Sequence, residues 1–301
     1  MADATRQASP ARVHLVDGTY ELFRAHFSKR PDHRTPSGGP AKATLGLAFS
    51  LLFLLEDDRE RVTHLAVAFD NPIRSFRNDL FDGYKTEAGV DPELLAQFDL
   101  VERMVRALGI VVWSMDRWEA DDALATGAAR FASEVSEVRI LTPDKDLGQC
   151  LVRPNVVQID RMRAKTIDAA ALKAARGIAP ESVPDFLALV GDTADGIPGV
   201  PGVGEKTAAA LLGRYVHLED IPALAADWEP RVRGAEKVAE SLREHREEAR
   251  LYKKLATLVD DVPLREGLGD LEFTGVPRAA FERACDEIGA STLRSRPHRW
   301  R

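Results

Sequence analysis

The stretch Val13-His14-Leu15-Val16-Asp17 is a short apolar run that ends in a carboxylate. Similar runs occur at residues 64–70, 138–144 and 156–160, and each is typical of a buried strand. Between them, residues 41–56, 92–108 and 119–135 space their apolar side chains three and four positions apart, as amphipathic helices do. Strands that alternate with helices predict an α/β fold with a mainly parallel sheet flanked by helices.

The pattern changes near Gly177, after which only helical stretches follow. They span residues 181–190, 205–214, 235–256 and 277–288, with Gly and Pro between them. We therefore expect an α/β domain over residues 1–177 and a helical region over residues 178–301. Two polar stretches, 28–40 and 83–92, are predicted to be loops that face substrate or solvent.

Composition narrows the class of protein. The 301 residues allow one large or two ordinary domains. The longest apolar run, residues 45–55, is too short to cross a bilayer and is expected to be a buried helix. Residues 1–12 lack the apolar core of a signal peptide, so we expect a cytoplasmic protein. The net charge of −7 argues against a nucleic-acid binder, unless the acids gather in one place to hold cations.

The two cysteines, Cys150 and Cys285, have no CxxC spacing and cannot form a disulfide framework or a Cys-rich zinc site. His14 and His64 lie in predicted strands and are expected to be packed residues rather than ligands.

Three predicted strands end in aspartate, at Asp17, Asp70 and Asp144. The carboxyl ends of parallel strands share one edge of the sheet, where the sites of open α/β folds form. Acids brought together there repel one another unless cations lie between them. A single aspartate at a strand end is usually a helix cap or a turn residue, but three at one edge indicate a site.

Three further segments carry acids: the start of a helix at 119–122, a DxD pair at 144–146, and a glycine-flanked pair at 192 and 195. Acids in a first helical turn also suit the helix dipole, so the first segment has a structural alternative. Carboxylate ligands suit Mg²⁺ or Mn²⁺, and two such ions can bind the attacking water and the leaving oxygen of a phosphodiester. The nine predicted metal ligands are Asp17, Asp70, Glu119, Asp121, Asp122, Asp144, Asp146, Asp192 and Asp195.

A glycine-rich segment at 199–207 precedes a predicted helix. It is not a P-loop, because Glu205 separates Gly204 from Lys206 and no strand comes before it. A helix-hairpin-helix fits better, since glycines let the backbone approach a DNA phosphate and helix amides point at it. A plain tight turn is the alternative. The predicted DNA contacts here are Gly199, Gly202, Gly204, Lys206 and Thr207.

In this order and spacing, the motifs resemble the 5′-nuclease (flap endonuclease) family. The matching segments are Val16-Asp17-Gly18, Arg24-Ala25, Ala68-Phe69-Asp70, Phe76-Arg77, Tyr84-Lys85, Glu119-Ala120-Asp121-Asp122, Thr142-Pro143-Asp144-Lys145-Asp146 and residues 191–200. The resemblance runs from about residue 13 to 260. The chain is similar to the 5′–3′ exonuclease domain of bacterial DNA polymerase I, and we expect it to be a stand-alone protein.

The resemblance implies a PIN-like, resolvase-like sheet followed by a helical region with a helix-hairpin-helix. It implies that one metal is held by Asp17, Asp70, Glu119 and Asp121, with Asp122 and Asp144 close by. The second metal is associated with Asp144, Asp146, Asp192 and Asp195. Lys85 would lie in a gateway above the metals and stabilise the charged transition state.

Other basic side chains in the N-terminal half could offset the acidic site for a polyanion, and we take Arg77 and Arg24 as further catalytic candidates. Tyr84 either packs in the core or stacks on a base. Family members usually carry an Arg a few residues after this lysine, whereas residues 84–89 read Tyr-Lys-Thr-Glu-Ala-Gly, with no Arg.

The implied function is metal-dependent hydrolysis of DNA at 5′ flaps and at nicked or recessed duplex ends in replication and repair. RNA–DNA hybrids are a further candidate substrate, and K⁺ a candidate ion in the hairpin. We expect a monomer at the bacterial nucleoid with a separate DNA polymerase as partner. The alternatives are a structure-specific DNA-binding protein with little catalysis and a PIN-type RNase.

Overall fold

A computed structural model describes residues 11–301. Within this range one six-stranded sheet has the order β3-β2-β1-β4-β5-β6, and all neighbours are parallel except β5 and β6. The strands are β1 (Arg12–Asp17), β2 (His64–Asp70), β3 (Val111–Met115), β4 (Glu137–Leu141), β5 (Val156–Asp160) and β6 (Lys165–Ile167). The mainly parallel sheet confirms the predicted α/β class.

Helices cover both faces of the sheet. They are α1 (Gly18–His26), α2 (Lys42–Glu56), α3 (Pro92–Leu95), α4 (Phe98–Ala107), α5 (Ala120–Phe131), α6 (Ala169–Arg176), α7 (Val183–Val190), α8 (Glu205–Tyr215), α9 (Ala235–Glu244), α10 (Arg246–Ala256) and α11 (Arg278–Ile288). No helix within residues 11–301 is both long and apolar enough to span a membrane.

Two apolar clusters stabilise this arrangement, one on each face of the sheet. The first joins α5 to α7, α8, α9 and α10, and the second joins α2 and α4 to α11. Phe281 on α11 is fully buried in the second cluster. The last helix therefore returns to the N-terminal part of the chain, while α7, α8 and α10 pack on the other face.

Several boundaries differ from those expected. The strand expected over residues 138–144 ends at Leu141, so Asp144 lies three residues beyond it. The helices expected over 92–108 and 235–256 are each divided in two, the second at His245. The elements α1, α6, β3 and β6 were not predicted, because each is short or carries few periodic apolar residues.

Candidate active site

The first acid group lies at the carboxyl edge of the sheet and consists of Asp17, Asp70, Glu119, Asp121 and Asp144. Asp17 ends β1 and caps α1, accepting hydrogen bonds from the Tyr20 amide at 2.8 Å and the Thr142 hydroxyl at 2.9 Å. Asp70 ends β2 and accepts a hydrogen bond from the Ala120 amide at 2.7 Å. Backbone and hydroxyl donors thus hold carboxylates that would otherwise repel one another.

Burial and mutual repulsion shift the protonation of this group. Burial, together with the nearby charges of Asp70 and Asp144, raises the pKa of Asp17 to about 7, although hydrogen bonds from Tyr20 and Thr142 oppose the shift. Burial, with Asp144 and Asp17, also raises the pKa of Asp121 well above its usual value. Carboxylates that are buried together in this way favour a cation among them.

Glu119 is the exception in this group. It lies just before α5, is 3% exposed, and accepts a 2.6 Å hydrogen bond from the Ser75 hydroxyl. Burial opposes its charge, but Lys85 and Arg77 outweigh burial and lower the pKa of Glu119 to about 2. Glu119 therefore remains ionised and anchors the two basic residues.

The second acid group consists of Asp146, Asp192 and Asp195. One carboxylate oxygen from each lies within 4.8 Å of the others. Asp146 begins the 3₁₀ turn after β4, and the other two flank the turn that follows α7. Burial, with Asp144, raises the pKa of Asp146 well above its usual value. The charge of Asp144 thus acts on acids of both groups.

This geometry fits a hard divalent cation. Asp146 is 6% exposed, and its Oδ1 is buried without a hydrogen-bond partner. A buried carboxylate oxygen with no partner is costly unless a cation or a proton meets it. The donors of both groups are carboxylate oxygens, the ligands that Mg²⁺ and Mn²⁺ prefer.

Lys85 joins the two acid groups. Its Nζ is 2.9 Å from Glu119 Oε2 and 2.9 Å from Asp195 Oδ1. Although burial opposes the charge, Glu119 and Asp195 raise the pKa of Lys85 well above its usual value. The side chain is 27% exposed, so a charged ammonium faces the space above both groups.

Tyr84 does not fit the predicted base stacking, and this expectation is corrected. The side chain is 3% exposed and packs in the first apolar cluster. Its hydroxyl lies 3.3 Å from both Glu119 Oε2 and Asp195 Oδ2. The apolar ring needs burial and the hydroxyl needs acceptors, so Tyr84 supports the acids from inside the fold.

Arg77 and Asp122 form an ion pair with each other inside the fold and do not face the exposed side of the site. Arg77 is 1% exposed and Asp122 is fully buried. The guanidinium donates two hydrogen bonds to Asp122, at 2.7 and 2.8 Å, and approaches Glu119 at 3.3 Å. Since Arg77 occupies both oxygens of Asp122, the expectations of a phosphate-binding Arg77 and a metal-binding Asp122 are corrected.

Arg24 contacts other residues of the protein, and its catalytic role stays a prediction. Its guanidinium donates to Glu21 at 2.5 Å and to the Ser50 hydroxyl at 3.3 Å. Glu21 is 3% exposed and needs a nearby cation, which Arg24 supplies from one turn further along α1.

The glycine-rich segment joins α7 to α8. Gly202, Gly204 and Lys206 are exposed, and a side chain added at either glycine would meet only open space. The amides at the start of α8 have no side-chain cap. Gly199 differs: a Cβ there would lie 2.6 Å from the Gly191 amide nitrogen, so this glycine is needed for internal packing. Gly199 is also buried, unlike Gly202 and Gly204, and its contact with DNA stays a prediction.

Three residues at the site were not singled out from the sequence. Ser75 and Thr142 hold Glu119 and Asp17, and Lys145 lies 2.8 Å from Asp192. Lys145 could have been found from its place inside the Asp-Lys-Asp motif. The hydroxyl partners carry no local signal, because the contact of Ser75 with Glu119 spans 44 residues and that of Thr142 with Asp17 spans 125.

Family models and curated relatives agree on what this chain resembles. Residues 12–177 match the model described as the 5′–3′ exonuclease N-terminal resolvase-like domain, and residues 178–279 match its C-terminal SAM fold. A 5′–3′ exonuclease of Aquifex aeolicus is 32% identical, with 93% of each chain covered. DNA polymerase I of Bacillus caldotenax is 36% identical over 91% of this chain, which spans 31% of that relative's length.

Solved structures share the fold at lower sequence identity. A T5 5′-exonuclease with bound divalent zinc ions superposes with a TM-score of 0.64 and 18% identity, covering 82% of this chain and 90% of that one. The catalytic core of Rad2 in complex with a DNA substrate gives a TM-score of 0.59 and 11% identity, covering 95% of this chain and 90% of that one. With two family models spanning most of the sequence and a relative matched over nearly its whole length, the chain belongs to the 5′–3′ exonuclease family.

Proposed function

We propose that this protein hydrolyses DNA phosphodiesters near 5′ ends and at 5′ flaps with the help of divalent metal ions. The observation that carries the proposal is the pair of acid groups joined by Lys85. The second group brings three carboxylates within 4.8 Å, and Lys85 lies 2.9 Å from an acid of each group. Such a site combines cation ligands with a charged lysine that the acids hold in place, as stabilisation of a charged phosphate requires.

Mg²⁺ or Mn²⁺ is the proposed cofactor, with at least two ions bound. Asp17, Asp70, Glu119 and Asp121 would hold one ion, with Asp144 close by, and Asp144, Asp146, Asp192 and Asp195 would hold another. Bound ions would supply a Lewis acid and an activated water for attack on phosphorus. The protein's own contribution is to fix the acids in place, through the Thr142 hydroxyl and backbone amides, so that little rearrangement accompanies the reaction.

Lys85 is the proposed catalytic cation. The carboxylates of Glu119 and Asp195 hold its ammonium at the exposed side of the site, where it can approach the phosphate that is cut. Arg77 does not reach that space, and residues 86–89 carry no Arg, so Lys85 acts without the additional basic residue usual in the family.

The region after residue 177 is the proposed DNA-binding part, and residues 1–177 the catalytic part. Lys206 and the uncapped amides at the start of α8 are exposed, as contact with a DNA backbone requires. We propose that the α7–α8 segment acts as a helix-hairpin-helix, with Gly202, Gly204 and Thr207 at the phosphate. A K⁺ ion bound to backbone carbonyls would strengthen that contact.

The proposed substrates are 5′ flaps, nicked or recessed duplex ends and RNA–DNA hybrids, in a protein that acts as a monomer. Removal of flaps or primers leaves a nick or a gap, so a separate DNA polymerase is the proposed partner, and chromosomal DNA places the activity at the nucleoid.

The direct test is cleavage of a 5′-labelled flap duplex with Mg²⁺ or Mn²⁺. Wild type should cut near the flap junction and leave 5′ phosphate and 3′ hydroxyl ends, whereas Asp144→Asn should lose most of the activity. The exposed Lys165→Met on β6 serves as a matched surface control.

Two results would replace the proposal. Tight binding of the flap with no cleavage by either metal would favour a structure-specific DNA-binding protein. Cleavage of single-stranded RNA in preference to the flap would favour a PIN-type RNase.

A further inference from the structure

Lys145 holds an unusual position for a cation in a metal site. It lies between Asp144 and Asp146 in the sequence, yet its ammonium is 2.8 Å from Asp192 Oδ2, across the second acid group. Asp192 is 6% exposed, whereas the Lys145 side chain is 36% exposed. The buried partner is fixed, and the lysine is the member of the pair that can move.

The same carboxylate belongs to the second acid group. An oxygen of Asp192 lies within 4.8 Å of oxygens of Asp146 and Asp195. A divalent ion shared by these three acids would stand close to the Lys145 ammonium and repel it. Lys145 and the ion therefore compete for Asp192.

A second location for the ammonium lies next to the first. A cavity of about 430 Å³ opens beside Asp192, between Lys145 and the start of α8. Its lining carries three basic side chains, Lys145, Arg176 and Lys206, and one acidic side chain, Glu205, among small and apolar residues. The amides at the start of α8 are uncapped by any side chain, and three basic side chains stand against the one carboxylate of Glu205, so the cavity can receive a phosphate of a nucleic-acid backbone beside Lys145.

We propose that Lys145 is a displaceable counter-cation that neutralises Asp192 in the metal-free protein and turns to a DNA phosphate when a divalent ion binds. This inference rests on the proposed function. It links metal loading to DNA binding, because the charge released from Asp192 becomes available to the phosphate backbone.

The first test measures Mn²⁺ binding by calorimetry for wild type, Lys145→Met, Lys145→Arg and the control Lys165→Met. In Lys145→Met the competing charge is lost. The Mn²⁺ affinity of the second acid group should therefore rise by about five- to tenfold, in keeping with the removal of one charge at close range. Lys145→Arg and Lys165→Met should match wild type. Thermal unfolding in EDTA verifies that each variant is folded, and Lys145→Gln replaces Lys145→Met if the latter is not.

The second test measures the salt dependence of flap binding, with Ca²⁺ and with EDTA. Ca²⁺ binds to sites with oxygen ligands, and the affinity for the flap is measured before any DNA is cleaved. In Ca²⁺ the slope of log affinity against log salt should become shallower by about one for Lys145→Met. In EDTA the slope should equal that of wild type, because Asp192 already holds the lysine.

Either failure overturns the inference. An unchanged Mn²⁺ affinity in Lys145→Met would mean that no competition exists. Equal slopes for variant and wild type in Ca²⁺, or the same loss with and without Ca²⁺, would mean that metal does not release Lys145. The proposed function fails separately, if wild type itself neither binds Mn²⁺ nor cuts the flap.

Discussion

Arg77 and Asp122 form a fully enclosed ion pair that ties three parts of the chain together. The guanidinium meets both carboxylate oxygens, and it also donates to the carbonyls of Leu255 at 2.7 Å and Thr257 at 3.0 Å. Asp122 in turn accepts a 2.9 Å hydrogen bond from the Val259 amide. The segment after β2, the start of α5 and the end of α10 are thus fixed by one pair of side chains.

Replacing Arg77 by methionine should destabilise the fold by about 3–5 kcal/mol, because Asp122 is left buried without a counter-charge. The double variant Arg77→Met/Asp122→Leu should recover part of this loss, since neither charge then remains. Denaturant unfolding of both variants and of each single change measures the coupling. A stable Arg77→Met that has lost only cleavage would restore the catalytic role first expected for this arginine.

Lys85→Met should lower the cleavage rate by about 10²–10³-fold, since one preformed charge is removed from the phosphate that reacts. Flap affinity in Ca²⁺ should change far less, and Lys85→Arg should retain more activity than Lys85→Met. Single-turnover cleavage with saturating enzyme separates the two quantities. A wild-type rate accompanied by a collapse in affinity would instead make Lys85 a DNA-binding residue.

Asp17 predicts a pH effect that depends on metal. Its pKa is raised in the folded protein to about 7, first by burial, from an unfolded value of about 4. Protonated Asp17 therefore stabilises the fold at low pH, and this contribution is lost as pH rises from about 4 through about 7. Asp17→Asn should gain stability relative to wild type over that range in EDTA.

Mg²⁺ should reverse this difference at pH 8, since only the carboxylate of wild type attracts the ion. Melting temperatures in EDTA and in Mg²⁺ across the pH range provide the measurement. A constant difference between the two proteins in EDTA would show that Asp17 is ionised throughout.

Tyr84→Phe should bind flap DNA as wild type does, because the ring is buried and only its hydroxyl contacts with Glu119 and Asp195 are lost. Tyr84→Ala should instead lose about 3–5 kcal/mol of stability through the cavity left in the core. Fluorescence anisotropy and thermal unfolding test the two expectations. A large drop in affinity for Tyr84→Phe, with no change in stability, would contradict the interior role.

The sequence was most informative where chemistry and local pattern coincide. His64–Asp70 and Val156–Asp160 are strands with the expected bounds, because short apolar runs in a parallel sheet are buried on both sides. Asp17, Asp70, Asp146, Asp192 and Asp195 lie at the carboxyl edge or in the turns beside it, as strand ends and turn motifs suggested. Their roles as metal ligands remain a prediction.

The local sequence pattern could not predict which residue each charged side chain pairs with. Arg77 and Asp122 are 45 residues apart, and nothing near either residue tells that they meet in the interior. Arg24 was assigned to the substrate for its charge and its place in a family motif, yet a buried glutamate one turn away on the same helix holds it. A basic residue near an acidic site can be a counter-ion of the protein itself, and the sequence does not distinguish it from a ligand of the substrate.

The backbones of Gly83 and Gly196 are in close contact, and this contact fixes residues 83–85 but not the four residues that follow them. A Cβ at Gly196 would lie 2.1 Å from the Gly83 carbonyl oxygen, and the Lys85 amide donates to the Asp195 carbonyl at 3.0 Å. Residues 83–85 are thereby held in register with the second acid group, whereas residues 86–89 are exposed. Under the proposed function, we expect insertions or replacements in this outer stretch to alter which DNA ends are admitted while Lys85 stays in place. Residues 86–89 are therefore the stretch in which we expect changes of length or sequence to leave the position of Lys85 unaltered.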